Sequence, residues 1–582
     1  MFPSRSALLV LFVDTQDRNS NKPVSMGMDR DEKRGIKSTG VDKDDCRKNR
    51  AAQKVELRKA KRDEGLQKRR NMQMVTVDPM AGEDLDISDA APTATGEASA
   101  GASTTSQQPQ TFEQLVEAVL GFVQRNGPAE EYNDALLATR TLRKQLSHAR
   151  NPPIDQCINA NLVPAFITML GHPESKLQFE SAWCLTNIAS GTSRQCEVVV
   201  QANGVPPLVA LMGSPEIEVC EQAVWAIGNI AGDCAAMRDL VLANGATERV
   251  LAMVEGTAVM GQMGPLRNAV WALSNLMRGK PQPALQFVSQ AIPTLAKLLM
   301  IQDDEVLMDT CWALSYVTDG GDDRIDLAVQ HGVVPLLMTI LRERTENKTR
   351  TPSLRTLCNI LTGSAAATQA VLDAGILEVL PESIRSTKAQ TRKEACWAIS
   401  NIAAGTAQQV EQVVRSPLLA TVIERLENDE FDVKKEAAWV VANILHSYSA
   451  EPNAHTASRA QTLVTLGCIA PMVKMLEVND AAMQKLMLEA VGTLLDAGEL
   501  IAKGKGGDNT FLKPFDEAEG IDKLEALQTH HNEDVYEKAV AILEKHFGED
   551  DDDDENILPN TANENMFAFG TAPAAAQVGF AF

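Results

Sequence analysis

The sequence predicts an all-α protein: a right-handed superhelical solenoid of about ten repeats, with a disordered basic arm before it and an acidic tail after it. Three observations predict this. Apolar residues keep helical spacing over about 437 residues, tryptophans recur at a near-constant interval, and charge is segregated between arm and body. Across residues 111–547 the apolar positions fall at i, i+3, i+4 and i+7 between Gly and Pro punctuation. No period-two alternation is sustained, so strands are essentially absent from this reading.

The repeat is carried by the six tryptophans. Trp183, Trp225, Trp271, Trp312, Trp397 and Trp439 are separated by 42, 46, 41, 85 and 42 residues, and the long gap is two periods with Arg355 at its midpoint. Each unit repeats one skeleton. A helix bearing E-x-A-x-W or a variant leads to a Gly-bearing turn such as Ala231-Gly232-Asp233. A further helix then reaches a turn such as Gly204-Val205-Pro206. A period near 42 residues with two or three helices and no strand is the armadillo or HEAT pattern, in which each unit packs only on its neighbours and the stack presents a concave face.

Charge divides the chain. The formal net charge is −23, yet residues 29–70 carry +7 and the remainder −30. Five segments follow: an unstructured extension or mis-assigned start (1–28, with Met26 and Met28 as other possible starts), a basic segment (29–78), a flexible linker (79–110), the solenoid (111–547) and an acidic disordered tail (548–582). Residues 79–110 are mostly Ala, Ser, Thr, Gly, Asp and Gln, too poor in large apolar groups to offset the entropy of ordering. The 41 residues between Arg70 and Phe112 give a root-mean-square span of roughly 35 Å, enough for the arm to reach the repeats. The longest apolar run, residues 7–13, is far below the roughly 20 residues of a membrane-spanning helix, and no small-residue cleavage site follows it. Ten cysteines without a C-x-x-C pair argue against a disulfide framework or a zinc module and favour a reducing compartment.

An asparagine stands four residues after most tryptophans, at Asn187, Asn229, Asn275, Asn401 and Asn443, and Asn359 stands four after Arg355. Residues i and i+4 share a helix face. Asparagine is a poor interior helix residue, so six in one phase indicate a ligand rather than helix stability. Each amide offers a donor and an acceptor to the main chain of an extended peptide, and successive indoles form slots for the stems and charged heads of lysines. Gln222, Asp233, Glu394 and Glu436 supply acceptors beside this ladder.

These residues resemble the importin-α family over about residues 29–547. The stretches that carry the resemblance are Glu180-Ser181-Ala182-Trp183 through Thr192, Glu221-Gln222-Ala223-Val224-Trp225 through Asp233, Arg267-Asn268 to Asn275, and Cys311-Trp312 to Gly320. Gly520-Ile521-Asp522-Lys523-Leu524 to Gln528 is similar to the family's tenth repeat. The resemblance implies a nuclear import adaptor that shuttles between cytoplasm and nucleus, without cofactor or metal. Its major site for nuclear localisation signals would be Trp183, Asn187, Gln222, Trp225, Asn229, Asp233, Trp271 and Asn275, with Asp233 taking the key lysine. Its minor site would be Arg355, Asn359, Glu394, Trp397, Asn401, Glu436, Trp439 and Asn443. Arg58, Lys59, Lys61, Arg62, Lys68, Arg69 and Arg70 match the segment that binds importin-β and, by its own likeness to a localisation signal, would autoinhibit the groove. By the same resemblance, an exportin with Ran-GTP would hold the C-terminal repeats. Departures are Ala365 where the family has an acid, Cys196 where it has threonine, a longer connection at 447–460, and Glu489 with Thr493 in place of a Trp/Asn pair.

Rival readings fail on particular residues. Asn49-Arg50-Ala51-Ala52 is similar to a bZIP basic region, but Leu57 occupies the expected arginine position and no leucine heptad follows. A β-catenin-like scaffold would present a basic groove, and a nucleic-acid-binding solenoid would carry its basic charge on the repeats. Catalytic motifs are missing: there is neither H-E-x-x-H nor G-x-S-x-G, and Gly498 to Gly507 lacks the Walker A spacing and reads as an inter-helix loop.

Overall fold

The computed structural model of the protein describes residue 69, residues 110–446 and 453–548, and the backbone of 560–563 and 566–568. Ten long helices set the architecture: Tyr132–Leu146, Ser175–Ala189, Ile217–Asp233, Met263–Met277, Asp304–Val317, Asn347–Ile360, Ala389–Ala403, Phe431–Leu445, Ala481–Lys505 and Glu533–Phe547. Each packs on the next, and the helices between them, most of them shorter, stack in their own layers, as in Val333–Glu343 on Ile376–Ile384. The result is an armadillo solenoid, one of the two architectures that the tryptophan period predicts.

The long helices differ in pattern from ordinary surface helices because they are covered on several sides. Ser175–Ala189 buries twelve of its fifteen residues, among them Glu180, Thr186 and Asn187. A helix so enclosed must satisfy its buried polar groups internally. The Glu180 carboxylate accepts from Arg140 Nε at 2.8 Å and from Arg143 Nε at 2.6 Å, both on the preceding long helix. Local signals fix the ends: Thr192 with Gln195 and Thr406 with Gln409 form capping boxes, and Gly332 and Gly375 turn the chain into the next helix at φ of 72° and 85°.

Several turn assignments change. Ala231-Gly232-Asp233 is the last turn of the helix Ile217–Asp233 rather than a separate turn. Residues 498–505 likewise continue the helix Ala481–Lys505, which ends at Gly506 with φ 71°. Gly498 is there for close approach: a Cβ would collide with the side chains of Asn509 and Phe511 on the returning chain. The 46-residue tryptophan gap is absorbed by lengthening one helix, Ala246–Met260, whose tip leaves Val259 and Met260 exposed. In the ninth repeat Glu489 pairs with Lys538 at 3.1 Å and Thr493 Oγ1 donates to the Glu489 carbonyl, so that position serves packing. Residues 560–563 and 566–568, read from sequence as disordered tail, pair as two short antiparallel strands. The longer connection lies outside the described residues from 447 to 452. Among the described residues no single helix is long and apolar enough to cross a membrane.

A candidate peptide groove of tryptophan and asparagine

The asparagines line one face of the stacked long helices, and each reaches back one repeat. Asn187 Nδ2 donates to Ser147 Oγ at 3.0 Å, Asn229 Nδ2 to the Thr186 carbonyl at 3.1 Å, Asn275 Nδ2 to the Gly228 carbonyl at 3.0 Å, Asn359 Nδ2 to the Ser315 carbonyl at 2.9 Å, Asn401 Nδ2 to the Cys358 carbonyl at 3.4 Å and Asn443 Nδ2 to the Ser400 carbonyl at 2.8 Å. The reading that these asparagines serve a ligand rather than stability is therefore incomplete, because each also ties its repeat to the one before. An amide group has two N–H bonds and an acceptor oxygen. The staple uses one N–H of each, and at Asn359 Nδ2 also donates to Thr318 Oγ1 at 3.3 Å.

At Asn229 both remaining groups are engaged by a residue of the basic arm. Arg69 N donates to Asn229 Oδ1 at 2.8 Å, while Asn229 Nδ2 and Trp225 Nε1 donate to the Arg69 carbonyl at 3.0 and 2.8 Å. The main chain of Arg69 is thus held at both its polar atoms. Its guanidinium lies 4.9 Å from the Trp271 ring centre, and Nη2 reaches Asp309 Oδ2 at 3.1 Å. Main-chain clamping is indifferent to side-chain identity, whereas the indole face and the carboxylate select a cation. Lys68, Arg70 and the other basic arm residues Arg58, Lys59, Lys61 and Arg62 lie outside the described residues.

Asp309 escaped the sequence reading. It stands three residues before Trp312, one turn back on the same helix, and that proximity to a ladder tryptophan was the signal available. It is 3% exposed, and burial pushes its carboxyl up to about 6 even though Arg69 pulls in the opposite direction. Asp233 ends its helix four residues after Asn229, half-buried on the same face. Gln222, one turn before Ala226 on that helix, is buried, and its carbonyl accepts from Thr186 Oγ1 at 3.1 Å.

The slots are not equivalent. Arg143 lies 4.1 Å from the Trp183 ring centre, so one face of that indole is covered from within the repeats. In the second half of the groove Arg355 takes the tryptophan position. It pairs with Glu394 through Nε at 2.7 Å and lies 5.9 Å from the Trp397 ring centre. Burial works against the Arg355 charge, but the Glu394 carboxylate overcomes it and holds the guanidinium above its ordinary range. Glu394, read from sequence as an acceptor for cargo, is therefore already bonded to Arg355 and also accepts from Gln390 Nε2 at 2.7 Å. Asn401 Oδ1 is buried and has no hydrogen-bond partner among the described residues. Glu436 is fully buried and Trp439 half-buried on the next helix. Ala365 opens its helix with its carbonyl bonded to Gln409 Nε2 at 2.8 Å, and Cys196 is buried with Sγ 3.8 Å from Met237 Sδ.

Gly228 explains how the clamp and the stacking slot fit together. A Cβ there would sit 2.6 Å from Trp271 Cζ3 and 3.1 Å from Ala272 Cβ, both held in the next repeat. Alanine favours the helix by about 1 kcal/mol, but forcing a buried indole aside costs about 1–3 kcal/mol. Gly228→Ala is therefore expected to lower stability by about 1 kcal/mol in denaturant melts and to weaken basic-peptide binding by displacing Trp271. A more stable variant with unchanged binding would show that the indole gives way freely.

Three comparisons with known proteins bear on this geometry. The importin beta binding domain family matches residues 33–124, the armadillo/beta-catenin-like repeat family residues 150–190, 192–232, 280–319 and 364–404, and the atypical Arm repeat family residues 509–560. Importin subunit alpha-3 of Arabidopsis thaliana is 38% identical over 534 residues, covering 91% of this chain and 94% of the relative. Importin subunit alpha-4 of the same organism is 39% identical over 559 residues, covering 94% and 97%. The crystal structure of an engineered protein superposes with a TM-score of 0.64 at 26% identity, over 74% of this chain and 98% of that one.

Proposed function

The chain belongs to the importin-α family, a family of non-enzymatic nuclear import adaptors, and on that premise we propose that its groove binds lysine- and arginine-rich localisation signals in extended form. The observation that carries the reading is the hold on Arg69: two donors on its carbonyl, an acceptor on its N–H, an indole under its guanidinium and a carboxylate at its tip. The major site comprises Trp183, Asn187, Gln222, Trp225, Asn229, Asp233, Trp271 and Asn275, now joined by Asp309. The minor site comprises Arg355, Asn359, Glu394, Trp397, Asn401, Glu436, Trp439 and Asn443, with Arg355 and Glu394 acting as a pair that orients Trp397. The basic segment matched by the importin beta binding domain family binds importin-β. We further assign to that segment the autoinhibition of the major site, and to the C-terminal repeats the exportin with Ran-GTP that returns the empty adaptor, so that the protein shuttles between nucleus and cytoplasm.

The test is a fluorescence-anisotropy titration with a short lysine-rich peptide, a scrambled control and single-stranded RNA. Saturable binding of the first alone is expected. Trp225→Phe keeps the ring and removes the N–H that meets the ligand carbonyl, so the peptide should weaken roughly two- to tenfold with the melting temperature unchanged. RNA binding as tight as peptide binding, or a silent Trp225→Phe, would overturn the assignment.

A further inference from the structure

A second cleft lies away from the tryptophan ladder, between the first helices of two successive repeats, Ala407–Arg415 and Ala454–Thr465. Its volume is about 760 Å³, within the roughly 300–1,000 Å³ of small-molecule sites. Its chemistry is the opposite of the cargo groove. Arg459 and Arg415 face it with His455 and the polar side chains Gln408, Gln412 and Ser458, against the single acid Glu411. In a chain of net charge −23, a concave surface with an excess of arginine stands out.

Arg459 is the informative residue. It is 94% buried, the complement of a 6% exposure. Its Nη2 donates to the carbonyl of Ala407 at 3.3 Å, which lays the guanidinium across the start of that helix. Its Nε is buried and has no hydrogen-bond partner among the described residues. A buried charged donor left unmatched is destabilising, and an oxyanion that the guanidinium turned to meet would remove that cost. Both helices begin here, so the positive ends of two helix dipoles add to the field. Thr406 and Asn453 cap Gln409, His455 and Thr456, which leaves the first-turn N–H groups of Ala407 and Gln408 without a helical acceptor. Arg415 is at present bonded to Glu411 at 2.8 Å on the exposed rim. Donors converging from two helices and a buried guanidinium fork suit a tetrahedral phosphate with its three oxygens better than a planar carboxylate.

We propose that this cleft, built around the buried Arg459, binds the phosphate group of a small phosphorylated molecule independently of cargo. The phosphate carries about 1.5 to 2 negative charges at neutral pH and is met by the Arg459 guanidinium turning out toward the cleft, by Arg415 swinging from Glu411, and by the amide and hydroxyl donors of the rim. The volume exceeds that of a bare phosphate and leaves room for a polar organic body.

The test uses the full-length protein in phosphate- and sulfate-free buffer, titrated by calorimetry and followed by 31P line broadening with inorganic phosphate and, separately, a hexose monophosphate. One saturable site per chain is expected. Tighter binding of the hexose monophosphate assigns the site to an organic phosphate, and equal binding assigns it to free phosphate. Arg459→Met should weaken either probe by at least about tenfold. Because that change also removes the bond to Ala407, two rim variants keep the test independent of folding: Arg415→Gln should weaken binding about threefold and Glu411→Gln should tighten it about threefold, each with an unchanged melting temperature. Saturating phosphate should leave lysine-rich peptide affinity unaltered. Lack of saturable binding, or affinities that ignore both rim substitutions, would overturn the proposal.

Discussion

Asp233→Lys is expected to remove saturable binding of single-cluster basic peptides, a loss of at least about thirtyfold. Asp233 ends the helix Ile217–Asp233, where the negative end of the helix dipole reinforces its carboxylate. It lies one turn beyond Asn229, whose amide holds the main chain of Arg69, and we propose that a residue next to the clamped one meets its carboxylate. Lysine at this position replaces attraction by repulsion in a half-buried slot, and truncation or reversal of a partner in such a pair costs about 2–5 kcal/mol. Asp233→Asn should fall between, losing the charge but keeping the shape. Melting temperatures of both variants should match the parent, since Asp233 is at a helix end rather than between repeats. An effect of tenfold or less for the lysine variant would remove Asp233 from the site.

Deleting residues 1–71, or changing Lys68, Arg69 and Arg70 together to alanine, is expected to tighten cargo peptides by roughly tenfold. The arm is covalently tethered, so its effective concentration at the groove is on the order of 1 mM, and an internal affinity near 100 μM leaves about one groove in ten open. Importin-β, added to the full-length protein, should reproduce the gain by withdrawing the arm, and should do nothing for the deletion. The Arg69–Asp309 pair adds a pH signature. The Asp309 carboxyl titrates at about 6, raised by burial and lowered by Arg69; with the cation gone it must titrate higher still. Docking a cation therefore expels a proton, and the inhibition weakens as the pH falls from neutrality through 6. Asp309→Asn should abolish that pH dependence. Equal cargo affinity in full-length and truncated protein at physiological salt would leave the arm as a handle for importin-β alone.

The Trp/Asn register was legible because a helix face is a local property: four residues separate Trp225 from Asn229 and eight from Asp233, and 3.6 residues per turn place all three on one side. The same reasoning fixed the period of the repeat and the opposite charges of arm and body. Other features were set by which residues the stacking brings together from about 40 positions away. Asn229 meets the Thr186 carbonyl 43 residues earlier, and Asn275 meets Gly228 47 residues earlier; no periodicity names such an acceptor, because the acceptor is a backbone atom that every residue possesses. Glu394 looked like a docking carboxylate until Arg355, 39 residues before it, was seen to bind it. Gly498 looked like a break because glycine weakens helices, yet it permits the contact with Asn509 and Phe511 that only the folded chain creates. Asp309 shows the same division: its helix position follows from the sequence, but its burial, its raised pKa and its reach to Arg69 depend on the neighbouring repeats that exclude water from it. The sequence by itself determined the face, the period and the charge of this protein. The tertiary structure decided which buried polar groups are spent on holding the repeats together and which remain for a ligand, because that choice depends on distances across the stack.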